Sequence, residues 1–147
     1  DLLIPFSRWA AGLLVDAGVP ARRVAPIHVG LDLEVWVHGP KPMRPPQERA
    51  RILFVGGEFE RKGGPDLLTA FVRHRLADVA HLDLVTRSAP GELPAGVRVH
   101  VSLGPEDPGL MRLYREADVF VLPTTSDLTP WAILEAMACG CAVVATP

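Results

Sequence analysis

The chain has 147 residues, of which 48% are hydrophobic and 22% are charged, and its formal net charge is −2. This length and composition are typical of one soluble domain with a buried core, and the small net charge gives no electrostatic basis for binding nucleic acid. The apolar runs have the length of strands, which excludes a membrane-spanning helix, and residues 1–4 lack the basic start of a signal peptide.

The first predicted elements are a helix and a strand, followed by a linker. The helix covers residues 9–17, with Ser7 as its cap and Gly18 as its stop, and the strand covers residues 24–29. Residues 39–46 are rich in proline, which cannot donate to a sheet ladder and favours an extended, semi-rigid spacer. We predict that domain closure would hinge in this linker.

After the linker, strand and helix patterns alternate. The predicted strands are residues 51–55, 82–86, 97–101, 119–122 and 142–145. One predicted helix begins at Pro65 and has an apolar stripe of Leu67, Leu68, Phe71 and Val72, and two others cover residues 110–117 and 130–138. This alternation implies an α/β fold whose parallel sheet is covered by helices on both faces, with right-handed crossovers.

Two polar segments lie at strand-to-helix junctions, which is where ligands bind in such sheets. The first is a glycine-rich turn that starts with Gly56 and Gly57 and contains Arg61 and Lys62. Glycine lets backbone N–H groups approach a phosphate, and cations and a helix N-terminus attract its charge. The turn fails the G-x-G-x-x-G pattern, which argues against a dehydrogenase.

The second segment carries Asp127 and Glu135, which are eight residues apart. This spacing places Asp127 in the loop before a helix and Glu135 in the second turn of that helix. Because helical Cα–Cβ bonds tilt towards the N-terminus, Glu135 can lean back towards Asp127, and both could bind one ligand. Carboxylates suit hydroxyl groups, so the two segments together predict recognition of a phosphorylated, hydroxyl-rich ligand.

Four stretches of the sequence together resemble the group 1 glycosyltransferases, also called glycosyltransferase family 4. They are residues 19–32, 56–64, 114–123 and 134–140, and their order and spacing match the family over nearly the whole chain. The resemblance implies half of a GT-B architecture, in which two Rossmann-like domains face each other across a cleft. It also implies that the chain is truncated at both ends.

The domain boundaries that follow from this resemblance are expectations. Residues 1–32 would be the tail of the N-terminal, acceptor-binding domain, and residues 33–49 would be a proline-rich interdomain linker. Residues 50–147 would form the donor-binding Rossmann-like domain, incomplete at its C-terminus. We expect little transfer activity from this half alone.

The activity implied by the resemblance is a retaining transfer of a hexose from a nucleoside diphosphate sugar to a hydroxyl acceptor. The acceptor would be a saccharide, a lipid or a small molecule, and any peripheral contact with the cytoplasmic face of a membrane would come from the missing domain. No cofactor and no metal ion are expected. The five histidines lack metal-ligand spacing. Cys139 and Cys141 fit neither a disulfide framework nor a zinc site, which favours a cytoplasmic setting.

The resemblance assigns the catalytic cation to Lys62, which matches the family lysine that binds the donor's pyrophosphate and would stabilise the departing phosphate. Taken alone, Lys62 would be a solvated charge beside a turn. The family commonly places a second cation five residues earlier, where this chain has Gly57. Arg61 either compensates from the adjacent position or faces solvent.

The acids match the two ends of the family's E-x7-E motif. Glu135 would hold the ribose hydroxyls, and the alternative is an ordinary helix carboxylate; we expect it to have a partner, because its neighbours Leu134, Ala136, Met137 and Ala138 are predicted to be buried. Asp127, one methylene shorter than the family glutamate, would orient the donor sugar. Its alternative is a turn or cap residue.

Further donor-binding residues are implied by the resemblance alone. Thr129, Pro130 and Trp131 occupy the family's proline-containing turn, where free N–H groups would meet a phosphate, although Pro130 removes one donor and Trp131 is alternatively a core residue. Val101, Ser102 and Leu103 lie where the family's backbone reads the nucleotide base. Thr86 and Arg87 follow a strand where the family has glycines, so either a side chain enters the site or the loop differs.

Three other functions fit parts of this pattern. A nucleotide-sugar epimerase and a glycogen-type phosphorylase share the two-domain architecture, but the phosphorylase needs a cofactor lysine with no counterpart here. The third is a truncated, non-catalytic nucleotide-sugar-binding module. Gly57 and Asp127 favour it, because both depart from the family pattern.

Overall fold

The computed structural model describes residues 1–36, 41, 45, 48–88, 91–101, 103–127 and 129–146. The chain divides into two compact units, Asp1–Asp32 and Leu33–Pro147. The predicted linker at residues 39–46 lies almost entirely outside the described residues. Its assignment, and that of the first unit to an acceptor domain, stay predictions.

The first unit contains the helix α1, Arg8–Asp16, which confirms the predicted helix. The Ser7 hydroxyl accepts a hydrogen bond from the Ala10 N–H at 3.1 Å, and so caps the first turn. The predicted strand at residues 24–29 is wrong. Val24 forms a single parallel bridge with Leu3, and the ladder stops there because Pro5, two residues further along, has no N–H to donate.

The second unit is a five-stranded parallel sheet with strand order β3-β2-β1-β4-β5. Its strands are β1 Ala50–Val55, β2 Ala80–Thr86, β3 Val97–Val101, β4 Val119–Leu122 and β5 Ala142–Ala145. Its helices are α2 Gly64–Arg73, α3 Pro108–Glu116 and α4 Trp131–Ala138. These bounds lie close to the predicted ones, and the parallel pairing confirms the predicted Rossmann-like α/β fold.

The order of the strands reverses beside β1. The chain runs outward from β1 to β2 and β3 and then returns through α3 to β4, on the other side of β1. In an open α/β sheet, ligands bind outside the carboxyl ends of the strands at this switch point. The turn after β1 and the loop after β4 therefore lie at the position where the fold itself favours a binding site.

Aromatic side chains fill the core on both sides of the sheet. Phe54 of β1 contacts Phe59 edge to face at 5.9 Å between ring centroids, and Tyr114 of α3 stacks on Phe120 of β4 at 5.8 Å. Phe54, Tyr114 and Phe120 are completely buried. Tyr114 thereby fixes α3 against the strand that leads into the second loop of the candidate site.

The apolar stripe predicted for α2 includes a residue that the structure leaves exposed. Leu67 and Phe71 are buried, whereas Val72 is exposed. On α4, Met137 is also exposed although it was predicted to be buried, and Ala136 is buried as predicted. The described elements leave these faces uncovered, since a helix buries only the stripe that meets the sheet.

Candidate functional site

The glycine-rich turn after β1 is bonded to the sheet at its start and closed by its own backbone at its end. The Gly56 N–H donates to the carbonyl of Val85 in β2 at 2.9 Å, and the Gly64 N–H donates to the Phe59 carbonyl at 2.9 Å. The buried Phe59 ring anchors the middle of the turn in the core. Lys62 therefore projects from a rigid turn at the carboxyl end of the sheet.

Two glycines of this turn have no room for a side chain. Gly63 has a φ of +77°, and a Cβ added to it would lie 1.9 Å from the Pro123 carbonyl oxygen. A Cβ on Gly64 would lie 2.1 Å from the Phe59 ring. The glycines thus let the turn pack directly against the end of β4, which is a structural reason for their presence.

Arg61 joins this turn to the loop after β4. Its carbonyl accepts a hydrogen bond from the Thr125 N–H at 3.2 Å and from the Thr125 hydroxyl at 3.1 Å. Its guanidinium donates to the Ser126 carbonyl at 2.6 Å. The two loops at the switch point are therefore held together by the backbone and the side chain of one residue.

The Arg61 guanidinium is also held by Glu58. Its Nε and Nη2 donate to the two carboxylate oxygens of Glu58 at 2.9 and 3.0 Å, and both side chains are exposed. This hydrogen bond lowers the pKa of Glu58 and raises that of Arg61. The three-residue spacing of Glu58 and Arg61 is a signal from which this pair could have been predicted.

Lys62 and Asp127 form a direct ion pair. Their side chains are only 17% and 12% exposed, so the pair is largely removed from water. The two residues come from different loops, one after β1 and one after β4. The structure thus brings the predicted cation and the first predicted acid into contact at the switch point of the sheet.

Glu135 lies in α4 and pairs with Tyr114. The Tyr114 hydroxyl donates to Glu135 Oε2 at 2.7 Å, which confirms the prediction that this acid has a partner. Burial raises the pKa of Glu135, and the Tyr114 hydrogen bond opposes that shift. Burial also raises the pKa of Tyr114 well above its ordinary value, so the hydroxyl stays a donor at neutral pH. No separate signal along the chain pointed to Tyr114 as this partner.

The sequence profile of the family described as glycosyl transferases group 1 matches residues 49–147, which is more than half of the chain. The chain belongs to the group 1 glycosyltransferases. D-inositol 3-phosphate glycosyltransferase 1 of Catenulispora acidiphila is 31% identical to it, over 90% of this chain and 37% of the relative.

Solved structures share the fold of this group 1 glycosyltransferase. The Anabaena protein HepE, in complex with UDP and glucose, superposes with a TM-score of 0.72 at 20% identity, over 98% of this chain and 44% of HepE. Sucrose-phosphate synthase from Thermosynechococcus elongatus superposes with a TM-score of 0.76 at 23% identity, over 99% and 40%. The chain spans less than half the length of each of these proteins.

The start of α4 in this group 1 glycosyltransferase carries the predicted turn residues. Pro130 occupies the N-cap position, with no side chain capping the helix, and Thr129 precedes it. Trp131 is 49% exposed, so the alternative that it is a core residue is wrong. A cavity of about 400 Å³ lies beside this helix start, lined by Thr124, Thr125, Ser126, Asp127, Pro130, Ile133 and Thr146.

The ends of β2 and β3 carry the remaining predicted residues. Thr86 is buried and pairs in register with Val101, which is exposed. Within the described part of the chain, the Thr86 hydroxyl has no hydrogen-bond partner, which is rare for a buried polar group. Leu103 is half-buried, and Ser102 lies outside the described residues.

Arg87 was noted in the sequence but not assigned to the site. A Cβ added to Gly57 would lie 3.0 Å from Arg87 Nε, so this arginine lies across the Gly57 backbone. The residues that the structure describes contain no group of three or more metal-ligating side chains. None of the helices described is long and apolar enough to cross a membrane.

Proposed function

We propose that this chain is the donor-binding half of a retaining glycosyltransferase, which transfers a hexose from a nucleoside diphosphate sugar to a hydroxyl acceptor. The observation that carries the proposal is the Lys62–Asp127 ion pair, a largely buried cation and carboxylate at the switch point of the sheet. The complex of HepE with UDP and glucose supports a nucleotide sugar as the donor.

Lys62 binds the donor's diphosphate and stabilises the charge that develops on it as the sugar leaves. A lysine ammonium has three donor hydrogens, so Lys62 can keep one hydrogen bond to Asp127 and offer others to phosphate oxygens. Asp127 then lies next to the bond that breaks and orients the sugar. Arg61 secures the geometry of the two loops and adds positive charge at the rim.

Glu135 binds the ribose hydroxyls of the nucleotide. Tyr114 holds one carboxylate oxygen, Oε2, and no described residue hydrogen-bonds the other. Oε1 can therefore accept from a hydroxyl while the tyrosine fixes the orientation of the group. The uncapped N–H groups at the start of α4, near Thr129 and Trp131, add partial positive charge for the phosphates.

The proposed site also supplies charge for the diphosphate and contacts for the base. Lys62, Arg61 and the helix N–H groups supply the charge that the diphosphate needs, so we propose transfer without a metal ion or another cofactor.

The backbone of residues 101–103 reads the base, and Thr86 offers its unpartnered hydroxyl from the end of β2. Cys139 and Cys141 are free thiols, in keeping with a cytoplasmic enzyme, and the acceptor is bound by parts of the protein outside this chain.

The proposal is tested by titration calorimetry of the protein, expressed from its complete reading frame, with uridine, guanosine and adenosine diphosphates and their hexose forms. We expect one base to bind selectively, and the matching sugar nucleotide to be consumed when an acceptor is added. Product analysis separates a transferred sugar from an epimerised one. A folded protein that binds none of these nucleotides would overturn the proposal.

Asp127→Asn is expected to tighten the binding of the free nucleoside diphosphate by about 5- to 10-fold, because it removes a negative charge beside the phosphate site and releases Lys62. Transfer is expected to slow, since the sugar loses its orienting carboxylate. Calorimetry and initial rates measure the two effects. The matched control is Asp66→Asn, which neutralises an exposed acid in the first turn of α2 and should change neither. Weaker binding by Asp127→Asn would contradict the assignment.

Nucleotide affinity is expected to fall as the pH is lowered towards the raised pKa of Glu135, above its ordinary value of 4.5. The ionised carboxylate accepts strongly from ribose hydroxyls, whereas the protonated carboxyl group is a weaker acceptor. The same raised pKa favours the folded state at low pH, and this contribution to stability is lost as the pH rises through it. Glu135→Gln should therefore bind more weakly at pH 7 and lack the acidic fall in affinity. An identical pH profile in both proteins would contradict this role.

A further inference from the structure

The position that precedes Lys62 by five residues is Gly57, and the space beside it is occupied. A Cβ built on Gly57 would lie 3.0 Å from Arg87 Nε, 3.4 Å from its Cγ and 3.5 Å from its Cδ. The stem and the guanidinium of Arg87 thus lie where a side chain of residue 57 would begin. Gly57 leaves room for a side chain that comes from another strand.

The register of the sheet explains why these two residues meet. Val55 of β1 pairs with Val85 of β2, so residues 57 and 87 each follow their strand's paired residue by two positions. The Arg87 N–H also donates to the Gly57 carbonyl at 3.4 Å, which continues the contact beyond the strands. Arg87 therefore reaches the carboxyl end of β1 by the strand pairing itself.

The partners of the three neighbouring cations differ. Lys62 is paired with Asp127, and the Arg61 guanidinium is engaged by Glu58 and the Ser126 carbonyl. Arg87 is exposed, and within the described ranges its guanidinium has neither an ion-pair nor a hydrogen-bond partner. The positive charge of Arg87 nevertheless acts on the glycine-rich turn. Arg61 has the largest effect in lowering the pKa of Glu58, and the charge of Arg87 lowers it further.

We propose that Arg87, reaching across Gly57 from the end of β2, is the second cation that binds the donor's diphosphate. This inference rests on the proposed function, because it names a further residue of the same site. Arg61, held by Glu58, then has a smaller and mainly structural part. An arginine suits this task because its planar guanidinium can hydrogen-bond two phosphate oxygens at once.

The test compares diphosphates with nucleosides on the protein expressed from its complete reading frame. UDP, GDP and ADP are titrated alongside uridine, guanosine and adenosine, so that the contribution of the phosphates is measured separately from that of the base and ribose. Arg87→Ala is expected to lower the affinity for the preferred nucleoside diphosphate by about 10- to 50-fold. The affinity for the nucleoside with the same base should not change. Arg61→Ala should cause a smaller loss.

Two further variants separate charge from structure. Arg73→Ala removes an exposed arginine in the last turn of α2 and should have no effect on either ligand. The double variant Gly57→Arg with Arg87→Ala places the arginine after β1 instead of after β2, with its side chain starting in the space that Arg87 occupies. Its affinity for the diphosphate is expected to return to within about threefold of that of the unaltered protein. Thermal unfolding of each variant verifies that it is folded.

The outcomes distinguish this inference from the proposed function. Two outcomes would overturn the role of Arg87 while the donor site stands, given that the unaltered protein binds one diphosphate selectively. In the first, Arg87→Ala binds that diphosphate as tightly as the unaltered protein does. In the second, Arg87→Ala loses affinity for the nucleoside as much as for the diphosphate. A folded protein that binds no diphosphate at all would overturn the proposed function and this inference with it. Loss in Arg87→Ala with recovery in the double variant is the result that supports it.

Discussion

Replacing Lys62 with alanine is expected to lower the turnover of the transfer reaction by about 100- to 1,000-fold, the effect of removing one preorganised donor from developing charge. The substitution also leaves Asp127, which is only 12% exposed, without its ion-pair partner and next to the incoming diphosphate. The affinity for the donor should therefore fall as well. Initial rates with varied donor concentration separate the two effects.

The double variant Lys62→Ala with Asp127→Asn is the control for the orphaned carboxylate. It should recover part of the lost affinity, because the repulsion between carboxylate and phosphate is gone, but not the lost turnover, because no cation has been restored. A Lys62→Ala protein that keeps its turnover would show that the ion pair is structural. The proposed mechanism would then lack its main electrostatic element.

Replacing Gly63 with alanine is expected to destabilise the fold by more than about 2 kcal/mol. The added Cβ would lie 1.9 Å from the Pro123 carbonyl oxygen, and the φ of +77° is unfavourable for any other residue. To relieve this clash with Pro123, the turn must move away from β4, and that movement would also separate Lys62 from Asp127. Urea-induced unfolding measures the loss of stability.

Gly104→Ala is the matched control in the same unit. A Cβ at Gly104 meets no atom within 4 Å, so its free energy of unfolding should stay within about 0.5 kcal/mol of the unaltered protein. If Gly63→Ala were equally well tolerated, the tight packing of the glycine-rich turn against β4 would be wrong. The positions of Lys62 and Asp127 would then need another explanation.

Most elements of the second unit could be predicted because each carries its own local signal. Apolar runs bounded by glycine, proline and polar residues predicted the five strands, and Pro65 and the apolar spacing predicted α2, the first helix of this unit. The prediction of a strand at residues 24–29 was wrong because the pairing is limited to one bridge by Pro5, a residue of a different segment. Exposure of Trp131 and Met137 depends likewise on which surfaces other elements cover.

The sequence assigned residues to the candidate site but could not predict the contacts between them. Lys62 and Asp127 were assigned to one site, yet their direct pairing depends on β1 and β4 being neighbours. The partner of Glu135 comes from another helix, and no local pattern points to Tyr114. Arg87 meets Gly57 only through the register of two strands, which the spacing of residues along the chain does not reveal.

The most direct test of the donor site is a crystal structure of the protein, expressed from its complete reading frame, with the nucleoside diphosphate that binds best. We expect diphosphate oxygens within hydrogen-bond distance of Lys62 Nζ, and ribose hydroxyls within that distance of Glu135. A nucleotide bound elsewhere, with Lys62 and Asp127 still facing only each other, would contradict it.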